Sequence, residues 1–272
     1  MPHLAVSSWS LHRSLGSPAP YGPERDGPFG SATTQTAQFS LIELPARIAA
    51  QGLRSLDLCH FHLPNTDTAY LAQLRSSIEH AGVTLWSLLV DAGDVTHPTE
   101  APRDIAWIQR WIPIAGALGA KNLRVIAGRS APNEETLNTS LAALKSLALV
   151  ATAHGVKLVI ENWFPTASRP DHVKWLLNEM KGQLGLKIDF GNWGGPTKYE
   201  DLAAIAPFAE SCHAKPQFTD PYTIEHKDYL RCLSITQAAG FDGPYTLIYD
   251  DPAGPDEWRG LQSEKVFVER FL

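Results

Sequence analysis

The chain has 272 residues, 44% of them apolar, with a formal net charge of −6 and three cysteines. That length suits one large domain or two small ones. The acidic balance, with no long basic block, argues against nucleic acid as a partner, and no apolar run reaches the roughly 18 residues a membrane helix needs.

The N-terminus "MPHLAVSSWS" lacks the basic region, apolar core and cleavage site of a signal peptide. Cys59, Cys212 and Cys232 are scattered and odd in number, which fits a reduced cytoplasmic interior better than a disulfide framework.

In chain order, the strand-like runs are "HLAVSSWSL", "LRSLDLCHF", "VTLWSLLV", "NLRVIAG", "KLVIENWF", "LGLKIDFG", "SCHAKPQF" and "YTLIYDD". Helical stretches lie between them, the clearest being "TAYLAQLRSSIEHAG", "DIAWIQRWIPIAGALGA", "EETLNTSLAALKSLALVATAHG", "RPDHVKWLLNEMKG" and "KYEDLAAIAPFAE". Glycines at 52, 82, 155, 182 and 240 stop helices just before the next strand. Pro113 falls inside a helix and is expected to kink it. Near-continuous apolar strands alternating with helices indicate a parallel sheet covered by helices. Eight such pairs in this length predict one α/β domain over 1–272, a (β/α)8 TIM barrel. A doubly wound open sheet is the alternative, but no G-x-G-x-x-G follows the first strand. Residues 13–39, rich in Gly, Pro and Ser, form an unusually long β1–α1 loop, expected to act as a lid over the C-terminal face or to be a bare insertion.

Polar residues at the C-terminal ends of barrel strands are informative because those strands are otherwise apolar. Asp57, His60 and His62 fall on and after strand 2, Glu161 and Asn162 on strand 5, Asp189 and Asn192 on and after strand 6, and His213 and Lys215 on strand 7. Strands 5 to 7 thus bring Glu161, Asp189 and His213 to one sector of the mouth. Two carboxylates and an imidazole suit a divalent metal such as Mn²⁺, Mg²⁺, Co²⁺ or Zn²⁺. Each residue has a plainer reading: Glu161 as an ion-pair partner, Asp189 as a turn former, His213 as a hydrogen-bonded core histidine. Their conjunction favours the site.

Lys215 shares a face with His213 and can meet a substrate oxyanion or phosphate, or simply be solvated. Lys187 lies one step deeper than Asp189 and needs an anionic partner, for which Asp57 is a candidate, or else points outward between helices. His60 and His62 are candidate binders of sugar hydroxyls or surface loop residues. Trp9 and Trp163 offer a wall for a sugar ring or ordinary packing.

"VIENW", "LKIDFGNW" and "CHAKPQF", in this order, resemble the xylose-isomerase-like TIM barrels, which include sugar phosphate isomerases and epimerases, and "GFDGPYTL" resembles that family's lead-in to strand 8. The resemblance implies a divalent metal held by Glu161, Asp189 and His213, with a small carbohydrate as partner. It implies an isomerase or epimerase of a sugar or sugar phosphate. Glu161 would be the catalytic base, and Lys215 a catalytic residue that binds or stabilises an enediolate. Asn192 and Asp250 would join the substrate-binding set.

Strand 8 departs from the pattern: "GPYTLIY" places Ile248 where the family has a metal-binding and acid–base Glu. Asp250 has the same parity but stands about 6.6 Å higher, too far to replace it directly. The metal is therefore expected to be weakly bound or absent. A related dehydratase and a non-catalytic sugar-binding barrel are the alternatives. The oligomeric state, a homo-oligomer included, stays open.

Overall fold

The computed structural model describes residues 1–25 and 28–272. Asp26 and Gly27, in the long segment after the first strand, lie outside the described residues. Eight parallel strands close into a barrel in the order β1-β8-β7-β6-β5-β4-β3-β2. They are β1 (His3–Ser7), β2 (Ser55–Cys59), β3 (Thr84–Leu89), β4 (Asn122–Arg124), β5 (Lys157–Glu161), β6 (Leu184–Asp189), β7 (Ala209–Ala214) and β8 (Pro244–Leu247). A helix follows each: α1 (Leu44–Ala50), α2 (Thr68–His80), α3 (Ala101–Leu118), α4 (Glu134–Ala153), α5 (Pro170–Glu179), α6 (Lys198–Ile205), α7 (His226–Ala238) and α8 (Glu257–Val268). This is the (β/α)8 barrel that the alternation predicts. β2, β6 and β8 are buried at every position, because barrel interior and helix layer cover both faces. No helix among the described residues is long and apolar enough to cross a membrane.

Several boundaries differ from the sequence pattern. β1 ends at Ser7, and "SWSL" coils into a 3-10 turn. "HFH" after β2 does the same. β7 begins at Ala209 and stops before Lys215, while Phe218–Asp220 pairs with Thr223–Ile224 as a small hairpin. As the sequence places it, Pro113 lies inside α3; it is on the exposed face, so the carbonyl it deprives of a donor belongs to exposed Gln109.

The long segment before α1 is built into the barrel rather than laid over it as a bare flap. Leu15, Phe29, Phe39 and Leu41 are buried in the main core. Phe29 stacks on Trp111 of α3 with centroids 4.1 Å apart and rings 1° from parallel. The Arg110 guanidinium lies 4.1 Å from the Phe29 ring centroid. Gly30, at φ +137°, passes so close to Pro64 that a Cβ there would sit 2.2 Å from the Pro64 carbonyl oxygen. The expectation of a bare insertion gives way to a packed wall, because its aromatic side chains supply apolar area that composition alone hides.

β8 is fastened from behind. Its ladder stops at Leu247, and the next amide, Ile248 N–H, donates to Glu264 Oε2 of α8 at 2.8 Å. Glu264 is fully buried and its Oε1 has no hydrogen-bond partner among the described residues. Burial pushes this carboxyl well above its ordinary value, more than the Ile248 N–H holds it down.

Two measurements check this packing. Phe29→Ala should destabilise the fold by about 3 kcal/mol, the low end for truncating a buried Phe, read from urea unfolding. Glu264 has a raised pKa in the fold, so the stability it contributes is complete below its unfolded value and is lost as pH rises toward the folded one. Glu264→Gln should therefore melt higher than wild type at pH 8, with the gap closing toward pH 4.5. A gap independent of pH would show that Glu264 does not titrate between the two states.

Candidate active site

Glu161 and Asp189 are the last residues of β5 and β6, and His213 is the penultimate residue of β7. Asp189 and His213 are register partners, and Thr246 of β8 is the partner of His213 on its other side. All three side chains are buried at the barrel mouth, and their donor atoms lie within 4.8 Å of one another. His213 Nδ1 is 3.4 Å from Glu161 Oε2 and 3.5 Å from Asp189 Oδ2.

Each side chain is held by the turn that follows or by a neighbouring strand. Asp189 Oδ1 accepts the Gly191 and Asn192 amides at 2.6 and 2.9 Å, so Asp189 forms its turn while Oδ2 faces the site. Asn162 clamps the Asp189 backbone, accepting its N–H at 2.7 Å and donating to its carbonyl at 3.0 Å. Asn192 Nδ2 donates to Glu161 Oε1 at 2.6 Å. Among the described residues Glu161 Oε2 is buried without a hydrogen-bond partner, although Arg124 Nε stands 3.3 Å away. Arg124 also pairs with Asp91, which follows β3.

Below the site, Asp57 of β2 reaches across the barrel. Its Oδ2 accepts from Lys187 Nζ of β6 at 2.7 Å and from Thr246 Oγ1 at 2.8 Å, and lies 3.3 Å from His213 Nε2. Lys187 and Asp57 are both 0% exposed, so Asp57 is the anion Lys187 requires.

The charges set one another. Burial would raise the Glu161 carboxyl, but the His213 imidazole and the Arg124 guanidinium outweigh it and hold it low, at about 2. Burial would lower the His213 imidazole, yet the Glu161 carboxylate and the nearby Asp189 and Asp57 carboxylates raise it, against the opposing Lys187 charge. Asp57 stays well below the usual carboxylate range despite burial, through Lys187 and His213.

The triad opens into a cavity of about 310 Å³. Of the residues singled out from sequence, Trp9, Trp163, Asn192, Lys215 and Asp250 line it along with Glu161, Asp189 and His213. Lys215 Nζ donates to Asp250 Oδ2 at 2.6 Å, and Trp9 Nε1 donates to Asp250 Oδ1 at 3.0 Å. Asp250 is thus engaged at the rim and is not in the metal-competent cluster. Ile248 lines the cavity wall.

His60 and His62 are not brought to this cavity, a correction to their expected place among the sugar-binding groups. The 3-10 turn after β2 points Phe61 into the cavity and leaves the two histidines behind the wall. His60 is bonded to the Tyr21 carbonyl at 2.9 Å, and His62 to Ser8 Oγ at 2.7 Å and to the His12 ring at 2.9 Å. Both are buried, and desolvation lowers both imidazoles. Arg124 and Asp91 are lining residues that the sequence reading passed over. The available signal was a lone arginine inside the apolar run "NLRVIAG".

Two carboxylates and an imidazole with converging donor atoms, one of them a buried carboxylate oxygen lacking a hydrogen bond, fit a divalent cation. The fit is to three protein ligands, since position 248 offers only hydrocarbon.

No curated protein matches the chain by sequence. Among solved structures, an L-ribulose 3-epimerase superposes with a TM-score of 0.72 at 15% identity, covering 100% of this chain and 95% of its own. A D-allulose 3-epimerase from Methylomonas sp. gives 0.70 at 14% identity, with 99% and 98% covered. A xylose isomerase-like TIM barrel protein from Mycobacterium smegmatis, in complex with magnesium, gives 0.65 at 14%, with 85% and 87% covered. At these identities the likeness speaks for the fold. The family model described as "Xylose isomerase-like TIM barrel" matches residues 45–261, most of the chain, and the chain belongs to that family.

Proposed function

We propose that this barrel is an isomerase or epimerase of a small sugar or sugar phosphate, working by proton transfer beside a carbonyl. The observation that carries the reading is the buried Glu161–Asp189–His213 cluster opening into a cavity at the strand ends. Similarity in fold to sugar epimerases supports the same class.

In this reading Glu161, Asp189 and His213 would hold a divalent metal, whose chemistry there would be to polarise the substrate carbonyl beside the C–H that loses its proton. Glu161 is ionised at neutral pH, the form a base needs, and Asn192 fixes its orientation. The cations beside it make it a weak base, so substrate activation has to supply the rest. Lys215, anchored by Asp250, donates a hydrogen bond to the oxygen on which negative charge develops. Trp9, Trp163 and Asp250 contact the sugar, with Phe61, Leu89 and Ile248 as its apolar floor and wall. His60 and His62 act only by holding that wall. The three buried, unpaired cysteines suit a reducing, cytoplasmic setting.

Ile248 favours a second reading, a barrel that binds sugar without turnover, because the family's second acid–base Glu is missing. The two readings separate on incubation with ketopentoses and ketohexoses in D₂O with Mn²⁺. Deuterium entering beside the carbonyl supports the enzyme, whereas binding without exchange supports the second reading.

Two variants sharpen the assignment. Glu161→Gln should keep the fold by circular dichroism and slow turnover by roughly 10²–10⁴; wild-type rates would remove Glu161 as the base. Ile248→Glu should raise Mn²⁺ affinity in calorimetric titration, since it returns a carboxylate to the cavity wall. Tight stoichiometric metal in the wild type, lost on Asp250→Ala, would instead make Asp250 the fourth ligand.

A further inference from the structure

The buried pair beneath the cluster has no part in the chemistry just described. Two charges fully removed from water are costly, and a pair of apolar side chains would fill the same space without that cost. The position of Asp57 points to what the pair does. Its Oδ2 is the shared acceptor for Lys187 Nζ at 2.7 Å and Thr246 Oγ1 at 2.8 Å, and His213 Nε2 faces it at 3.3 Å. The opposite ring nitrogen, Nδ1, faces Glu161 Oε2 at 3.4 Å and Asp189 Oδ2 at 3.5 Å. Nε2 makes no hydrogen bond among the described residues, but at 3.3 Å its proton has the Asp57 carboxylate as the facing acceptor, and an imidazole protonated on that side presents the other nitrogen as a lone pair.

We infer that Asp57 is a positioning residue that acts through His213. It holds the ring so that Nδ1, not Nε2, is the metal ligand, and Lys187 and Thr246 hold Asp57. Lys187 supplies the compensating charge that lets a carboxylate sit at 0% exposure inside the barrel. Thr246, beside His213 in register, fixes the height of the carboxylate oxygen at the ring. The inference rests on the metal reading of the cluster and adds to it the side of the histidine that binds.

The full-length protein tests this in two ways. In ¹⁵N-histidine NMR of the Zn²⁺-loaded protein, His213 should carry the metal on Nδ1 and a proton on Nε2; metal on Nε2 overturns the inference. The second test is Mn²⁺ titration by calorimetry. Asp57→Leu with Lys187→Met removes both charges together, because removing one strands the other. This variant should unfold thermally near wild type and bind Mn²⁺ roughly 10- to 100-fold more weakly, the usual cost of losing such a partner. A folded double variant with wild-type Mn²⁺ affinity overturns the inference and makes the pair structural only. If the double variant does not fold, Asp57→Thr with Lys187→Met takes its place, again removing both charges, and undiminished affinity there has the same force. Wild-type protein that takes up neither ion overturns the metal reading itself, a result distinct from bound metal indifferent to Asp57.

Discussion

The ion pair between Lys187 and Asp57 fixes the level at which this barrel changes from packing to chemistry. β2 and β6 stand on opposite sides of the closed sheet, so the pair spans the interior. Below it the strands carry small and paired polar groups, such as Ser55 bonded to His3 and Lys157 paired with Glu210. Above it every inward position from β5 to β7 is ionisable, and none of those groups is stable there alone. Isolating one buried charge costs several kcal/mol, so the site exists only as a set. Asp57 offsets Lys187, Asp91 offsets Arg124, and Asp250 offsets Lys215. Glu161, Asp189 and His213 are left facing one another.

That arrangement explains why the long segment after β1 is packed and not free. A cluster of charges strengthens one another only where water is kept out. Pro20 of this segment lines the cavity, and Tyr21 and Phe29 tie it to Trp107 and Trp111 of α3. The wall is thereby braced by stacking and edge-on aromatic contacts. His60 takes part in the same brace through the Tyr21 carbonyl.

The fold and the convergence of Glu161, Asp189 and His213 were legible in the sequence, but parts of the cavity wall were not. Strand–helix alternation and the glycine stops are local signals, and those glycines do adopt φ between 66° and 85°. Glu161, Asp189 and His213 were legible because each is a polar residue at the end of an apolar strand. Lys187 was legible for the opposite reason, as a charge too deep to be alone. His60 and His62 were misplaced because their nearness to the mouth was read without their direction: counting alternate residues from inward-facing Asp57 turns Cys59 and Phe61 toward the cavity and the two histidines away from it. Arg124 was passed over because β4 is only three residues long and its apolar continuation hid the charge. The packed segment was missed because Gly, Pro and Ser dominate its composition, although Tyr21, Phe29 and Phe39 were in view.

Ile248 completes the electrostatic argument. With the other charges paired, the cluster offers two carboxylates and, once the imidazole is a ligand, no further anion. A divalent cation would make that set electrically neutral. A third carboxylate at 248 would leave one negative charge in a buried space, where it would need another cation. The apolar residue thus gives up one ligand and in return removes a charge. It adds hydrocarbon to a wall already formed by Cys59, Phe61 and Leu89. A drier wall strengthens each remaining charge–charge and charge–dipole contact, because less water screens it. The departure from the family pattern at β8 therefore agrees with the paired charges around it, and under the proposed function it would leave Glu161 as the one buried carboxylate base.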